Sequence, residues 1–477
     1  MLSVATLPVP ASLMAVLSLF SACFTAPTFR TFCALVAGLA AQTGRRTICG
    51  MIVGAGLSGL VRHERFHRFF SAAKWCPDEL GLTMARLVID HLLPPGAEIV
   101  VLIDDTLLKR WGKKIFGVFW THDGAAQGTA KLGRGNRWVV AAIAVCLPFT
   151  TVPVGIPVLC RLWRGKDTAT PTELAKDMAQ VLHAAFPGVR IHCVGDAAYH
   201  SPVLKDLPDG VSWMCRLPKN AVLQGPTPPR TGRRGAPRKR GDRLGTCAEI
   251  AATAAFAAHR LTVYGQTAAV SIAQVTGQWY TVFKATPVRI ILVRDDSARD
   301  RLPCHLGLVT TDTSASTAAA GMVVRYATRW SIEVIFSQIR NLLGAGQARN
   351  RVQAAVERTF PFQLIVYGIV IAWYAMHAYS DSDVRQRRLL CPWYRTKTAP
   401  SYEDMLTKLR LALAASRFSA ITPGQPPPHE NPVALVTLSA AAADLHHEQA
   451  VQALEGHREP GRPVDCTADP QPADGSG

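Results

Sequence analysis

At Glu98 the chain changes character: Ile99, Val100, Val101, Leu102 and Ile103 follow one another without a polar residue and end in Asp104-Asp105-Thr106. Consecutive apolar residues, most of them β-branched, suit a strand buried on both faces, and such strands belong to sheets covered by helices on each side. The run therefore demands an α/β core, with acids delivered at the carboxyl end of one strand. A second β-rich stretch over 138–146 and a third over about 152–162 follow. Pro171 opens a helix through Ala185, with Glu173 near its start, and Gly188 closes it. Residues 189–194 form another buried strand, and it too ends on an acid, in Gly195-Asp196. Three strands, a helix and a fourth strand, with acids at two strand ends, place a site along one edge of the sheet.

Before this core, from Thr28 to about Pro95, apolar residues recur at helical spacing. Arg45, Arg46, Arg62, Arg65 and Arg68 lie among the aromatics Phe66, Phe69, Phe70 and Trp75. A small helical bundle is expected, its basic face serving either phosphate contact or solvation. Past Ser212 come short β-type segments at 213–216, 261–264, 268–275, 279–283, 289–293 and 306–310. They surround a Pro/Gly/Arg stretch, 225–243, in which Arg230, Arg233, Arg234, Arg238, Lys239, Arg240 and Arg243 face a single acid, Asp242. It cannot bury a core, so a mobile basic loop suited to phosphate is expected, or one that only solubilises. The pattern is helical over 317–343, again over 353–377, and in a basic region over 387–417; the tail from about Glu455 is expected to be disordered.

The balance of 52 Lys+Arg against 34 Asp+Glu, a net +18, calls for an anionic partner, nucleic acid first and an anionic membrane surface second. The 12 cysteines are scattered without metal spacing and read as buried thiols in a reducing cytoplasm. Two apolar stretches could pass for membrane segments. Residues 1–29 carry no charged side chain, but they lack a basic start and are broken by Pro8, Pro10 and Pro27, which argues against a signal peptide. Residues 359–380 are long enough to span a bilayer, yet Gln363, Gly368, Tyr374 and His377 dilute them, and a buried core helix is expected.

The most specific local text is Tyr326, Arg329, Glu333 and Arg340. On one helix, at about 100° per residue, these four fall within roughly 60° of one another, so one face presents a phenol, two guanidiniums and a carboxylate. Two strands ending in aspartate and a helix offering glutamate give three hard oxygen donors, suited to Mg²⁺ or Mn²⁺. Two such ions would activate a nucleophilic oxygen and stabilise the leaving oxygen of a phosphodiester, while the guanidiniums grip its non-bridging oxygens.

Here the chain resembles the DDE transposases of bacterial insertion sequences, in the branch marked by Y-x2-R-x3-E-x6-K. Tyr326, Arg329 and Glu333 match the first three letters, and Arg340 stands where that branch has lysine. Ile103-Asp104-Asp105-Thr106, Gly195-Asp196-Ala197-Ala198-Tyr199 and Leu308-Val309-Thr310-Thr311-Asp312 are similar to its other motifs, in the same order. The resemblance implies an α/β fold with an RNase H-like catalytic core, an inserted β-rich domain and an N-terminal helical DNA-binding domain. The expected division is 1–97 helical, 98–211 first part of the core, 212–316 insertion with the basic loop, 317–417 second part and C-terminal helices, and 418–477 tail. It also implies metal-dependent cleavage at terminal inverted repeats and joining of the 3′-OH to target DNA, by a homodimer assembled on double-stranded DNA. Asp104, Asp196 and Glu333 become the catalytic acids and ligands of two Mg²⁺ or Mn²⁺ ions, with Asp105 the rival for the first position. Tyr326, Arg329 and Arg340 would touch the element end, and Arg233, Arg234, Arg238, Lys239 and Arg240 would add phosphate contacts. The place of action is then the bacterial cytoplasm, at the nucleoid, with no membrane. A nuclease of the same fold without strand transfer, and a DNA-binding regulator without chemistry, are the competing readings; a basic membrane protein is a third.

Overall fold

A computed structural model of the chain describes residues 9–419 apart from 125, 127–128, 230–235, 237, 297 and 299–301, and describes only the backbone at 418–419. The strands are β1 (Ile99–Lys109), β2 (Phe119–His122), β3 (Leu132–Val145), β4 (Val154–Trp163), β5 (Ile191–Val194) and β6 (Val211–Arg216). After them come β7 (Leu223–Gln224), β8 (Arg243–Gly245), β9 (Ala257–Val263), β10 (Gln266–Gly277), β11 (Val288–Asp295) and β12 (Leu306–Thr310). Helices α1 (Ala11–Ser18), α2 (Ala26–Ala41), α3 (Ile48–Gly54), α4 (Glu64–Ser71) and α5 (Pro77–His91) precede the sheet, and α6 (Pro171–Ala185) joins β4 to β5. The short helices α7 (Cys247–Thr253) and α8 (Tyr280–Phe283) lie among the later strands. The chain then runs through α9 (Ala319–Ala327), α10 (Trp330–Leu343), α11 (Gln353–Trp373), α12 (Asp383–Leu390) and α13 (Tyr402–Ser419).

β1 is parallel to β5, with Leu102 opposite Val194, and antiparallel to β3, with Asp104 opposite Val140 and Asp105 opposite Val139. β5 is parallel to β6, and β4 pairs with β3. The connection from β4 to β5 is α6, whose start is secured by a capping box: the Glu173 N–H donates to the Thr170 hydroxyl while the Thr170 N–H donates to Glu173. Beyond β6 the sheet continues through β12, β11, β10 and β9, giving ten strands in one mixed sheet, while β7 and β8 pair separately. The strands expected in an inserted domain are thus continuous by hydrogen bonding with the core sheet.

The centre of the molecule is α11, buried at every residue from Thr359 to Trp373. It packs against β4 on one side and against α2, α4 and α5 on another. Phe362 meets Phe32, Phe69 and Phe70 with ring centroids 6.0, 6.0 and 5.3 Å away. Fully burying such side chains stabilises the fold by about 1.5–3 kcal/mol each. Its polar Gln363 is satisfied by donating to the carbonyl of Leu343 at 3.2 Å. Gln353–Ala378 is the one helix among the described residues long and apolar enough to cross a membrane, and 89% of its most apolar window is buried inside the protein. The apolar N-terminal stretch also joins this core, with Leu13, Val16, Leu17 and Phe20 buried.

Several expectations need correction. The helical text over 317–343 is two helices, because the Thr328 hydroxyl donates to the Arg325 carbonyl and the Arg329 N–H closes a tight turn on the Tyr326 carbonyl. Tyr326 therefore ends α9 while Glu333 and Arg340 belong to α10, and no single helix carries all four residues. The segment 279–283, read as β-type, contains α8, with Val282 and Phe283 turned into the core and Lys284 at φ +56° ending it. The region 387–417 is divided between α12 and α13. The aromatics Phe66, Phe69, Phe70 and Trp75 are buried and support the helical bundle. The cysteines among the described residues are all free; Cys33, Cys193, Cys215 and Cys247 are buried, but Cys49 and Cys146 are exposed. The tail from 455 and Arg230, Arg233 and Arg234 lie outside the described residues.

Candidate active site

Asp104 lies in the middle of β1, which runs on to Lys109 and does not end at the acids as expected, while Asp196 follows the end of the adjacent parallel strand β5 and is near enough to repel the Asp104 carboxylate. Successive residues along a strand point to opposite faces, so Asp104 and Asp105 part company. Asp104 and Thr106 share a face with α10. The Arg329 guanidinium, at the start of α10, donates to Asp104 Oδ2 at 2.9 Å and to Glu333 Oε1 at 2.8 Å. The Arg340 guanidinium donates to the Thr106 hydroxyl. Asp105 is held from elsewhere: the Arg137 guanidinium of β3 donates to both of its carboxylate oxygens, one of them at 3.0 Å, and the Tyr199 hydroxyl donates to Oδ1 at 3.4 Å.

α10 ends where Gly344 takes the left-handed conformation at φ +65°, a backbone region that glycine enters without steric cost. Ile332, Ile335, Phe336 and Ile339 face the core and fix the helix, leaving Glu333 half-buried at the mouth of a cleft of about 330 Å³. Asp104, Asp105, Glu333, Ser337 and Arg340 all line this cleft. Asp196 sits in a turn after β5, where its Oδ1 accepts the Ala198 N–H at 2.8 Å.

Charge is concentrated here. Burial pushes the Asp104 carboxyl up to about 7, against the pull of Arg329 and of the Asp105 N–H, and with added repulsion from Asp196 and Asp105. Burial acts to lower the Arg329 guanidinium, yet Asp104 and Glu333 hold it above the ordinary arginine value. Arg329 is thus the cation that spans two of the three acids, and its Nε–H is buried with no acceptor among the described residues. Burial raises the Tyr326 phenol, with Arg329 opposing, and the ring is 8% exposed, so little of it faces outward. Burial lowers Arg340, with Asp123 opposing.

The described part of the basic loop lies apart from these contacts. Arg238 pairs with Asp242 at 2.8 Å, Arg240 lies 4.1 Å from the centroid of the Tyr280 ring, and Lys239 is exposed. Two partners of Asp105 were not assigned to the site by the sequence reading. Arg137 was legible only as the residue before an expected strand, and its link to Asp105 depends on the β1–β3 register. Tyr199 stands in the second-acid text, but its bond to Asp105 joins residues far apart in sequence.

Three carboxylates are hard donors that suit Mg²⁺ or Mn²⁺, and a bound cation would favour the charged form of Asp104 against the burial, with added repulsion from Asp196 and Asp105, that pushes its carboxyl up. The donor set fits such an ion. With Arg329 bound between Asp104 and Glu333, no group of three or more His, Cys, Asp or Glu side chains among the described residues is close enough to hold a metal.

Comparison with known proteins adds an independent finding. A family model described as DDE superfamily endonuclease matches residues 19–277, more than half of the chain. The match takes in Asp104 and Asp196 and ends before Tyr326, Arg329 and Glu333. A search of curated proteins finds no match.

Proposed function

Because the chain belongs to the DDE superfamily endonucleases, we propose that it is the DNA transposase of a bacterial insertion sequence, cutting at terminal inverted repeats and joining the freed 3′-OH to target DNA. The observation that carries this reading is the Arg329 bridge between Asp104 and Glu333, with Asp196 near enough to Asp104 to repel it. Endonucleases of this superfamily act on DNA and depend on divalent metal. Asp104, Asp196 and Glu333 are the residues that would hold two Mg²⁺ or Mn²⁺ ions, whose charge stabilises the attacking and leaving oxygens of a phosphodiester. Asp105 stays with Arg137 and ties the middle of β1 to β3. Arg340 lines the cleft, where its guanidinium would grip non-bridging phosphate oxygens, while Arg329, held between Asp104 and Glu333, would do so once metal ions take over the two carboxylates. Residues 1–97 and the 212–316 segment add DNA contacts, a homodimer assembles on the DNA, and the work is done in the cytoplasm at the nucleoid.

Incubation with labelled element ends, target DNA and Mg²⁺ tests this. Joined products are expected; nicks without joined products would make the protein a nuclease alone, and binding without any cleavage would leave a DNA-binding regulator.

Arg340 gives a finer check. Lysine offers a point charge and arginine a planar fork. If Arg340 only neutralises phosphate, Arg340→Lys retains end binding, whereas Arg340→Ala weakens it by about tenfold in a gel-shift titration. Equal binding by wild type and Arg340→Ala would remove the residue from the interface.

The basic loop is tested through salt. Each phosphate contact removed lowers the slope of log affinity against log salt by about one. Alanine at Arg238, Lys239 and Arg240 together is expected to flatten that slope, and an unchanged slope would show that the loop does not meet DNA.

A further inference from the structure

Trp111 and Trp120 stand out of the protein beyond the end of β1, 71% and 60% exposed, with ring centroids 6.5 Å apart at an interplanar angle of 77°. Two exposed indoles in contact form a patch, which calls for a partner in a way that scattered apolar residues do not. The patch is braced. Trp120 lies opposite Arg134 in the β2–β3 pair. The Arg134 guanidinium donates to the carbonyls of Arg110 at 3.1 Å and Gly112 at 3.3 Å, on either side of Trp111. Arg110 in turn donates to the carbonyl and side-chain oxygens of Asn350 at 2.7 and 2.9 Å. The backbone beneath both rings is therefore fixed before any partner arrives, which lowers the ordering cost of binding.

Charge says what the partner is. Between residues 107 and 136 the chain carries Lys109, Arg110, Lys113, Lys114, Lys131 and Arg134 against the single acid Asp123, which pairs with Lys109 at 2.8 Å. Lys113, Lys114 and Lys131 are exposed. Open aromatic faces among lysines match a nucleic-acid strand whose bases are unpaired: the phosphates meet the ammonium groups and the bases stack on the rings. Duplex bases are already stacked on one another, so a duplex gains only the charge. β1 leads from Asp104 to Lys109, about 17 Å at roughly 3.3 Å per residue, so the patch lies a few nucleotides from the acids.

We infer that Trp111 and Trp120 form a stacking platform for unpaired bases of the DNA strand near the scissile phosphate. This rests on the reading of Asp104, Asp196 and Glu333 as the cleavage site. The test uses the full chain, a blunt duplex, and the same duplex with a short single-stranded tail carrying a fluorescent base analogue. Wild type is expected to prefer the tailed duplex and to quench the analogue. Trp111→Ala with Trp120→Ala is expected to weaken tailed binding by about tenfold, to change blunt binding by less than about twofold, and to restore the fluorescence. Phe at both positions keeps most of the preference, which separates lost stacking from misfolding. No tail preference in wild type would overturn the inference. So would an equal loss on both substrates, or a changed oligomeric state with the tail preference intact. Tail preference and quenching without any cleavage would support the platform and count against the transposase reading.

Discussion

Asp104→Asn is expected to abolish DNA cleavage, by at least about a thousandfold or roughly 4 kcal/mol of barrier, while the protein stays folded and binds DNA. The amide keeps the shape of the side chain and removes the charge that a divalent ion needs. Asp196→Asn and Glu333→Gln should behave alike, since each removes one of the three hard donors. Asp105→Asn is the informative contrast. Its carboxylate faces Arg137 and Tyr199, away from the Arg329 bridge, so cleavage should remain measurable. Cleavage of labelled element ends with Mg²⁺ reads all four variants, with circular dichroism and a gel shift to verify folding and binding. A dead Asp105→Asn beside an active Asp104→Asn, both folded, would move the first ligand by one residue and leave the metal-site reading intact.

Arg137→Ala should lower the unfolding free energy by about 2–3 kcal/mol. Breaking a buried ion pair costs about 3–5 kcal/mol because the surviving charge is left without a partner. The value here is set lower because the Arg137 and Asp105 side chains keep 20% and 16% of their exposure, so water screens part of the loss. The cause can be isolated by a cycle of variants in urea denaturation. Asp105→Asn combined with Arg137→Ala leaves no orphaned charge and should be more stable than Arg137→Ala alone. A double variant no better than Arg137→Ala would mean that lost packing of the guanidinium, beside the Trp163 ring at 5.1 Å, is the larger effect.

Features decided within a few residues are legible in the amino-acid order itself. The apolar run before Asp104 could be little else than a buried strand, and Pro171 followed by Glu173 places the start of α6. The burial of α11 could be read from its diluted apolar text. What escaped depends on partners distant in sequence. The pairing of β12 with β6 makes the later strands part of the core sheet, and nothing in the residues of either strand names its neighbour. The break between α9 and α10 turns on one hydroxyl, Thr328, which competes for a backbone carbonyl in a stretch whose apolar period continues unbroken. In α8 the β propensity of the local residues lost to the burial of Val282 and Phe283. For the site, residue types and order placed Asp104 on β1, Asp196 after β5 and Glu333 on a helix, but did not show that β1 runs on past Asp104 to Lys109. The division of labour between Asp104 and Asp105 needed the facing strand.

The shared use of α11 has a consequence for synthesis on the ribosome. Phe32, Phe69 and Phe70 are made early, but the Phe362 ring that covers them belongs to a helix made roughly three hundred residues later. At about 5–20 residues per second the aromatic face of the N-terminal helices stays uncovered for roughly 15–60 s. Throughout that interval the nascent chain offers a sticky surface to neighbours on the same messenger. The chain closes late, when α11 threads its apolar sides between two layers that have been waiting for it, and conditions that slow translation lengthen the exposure in proportion.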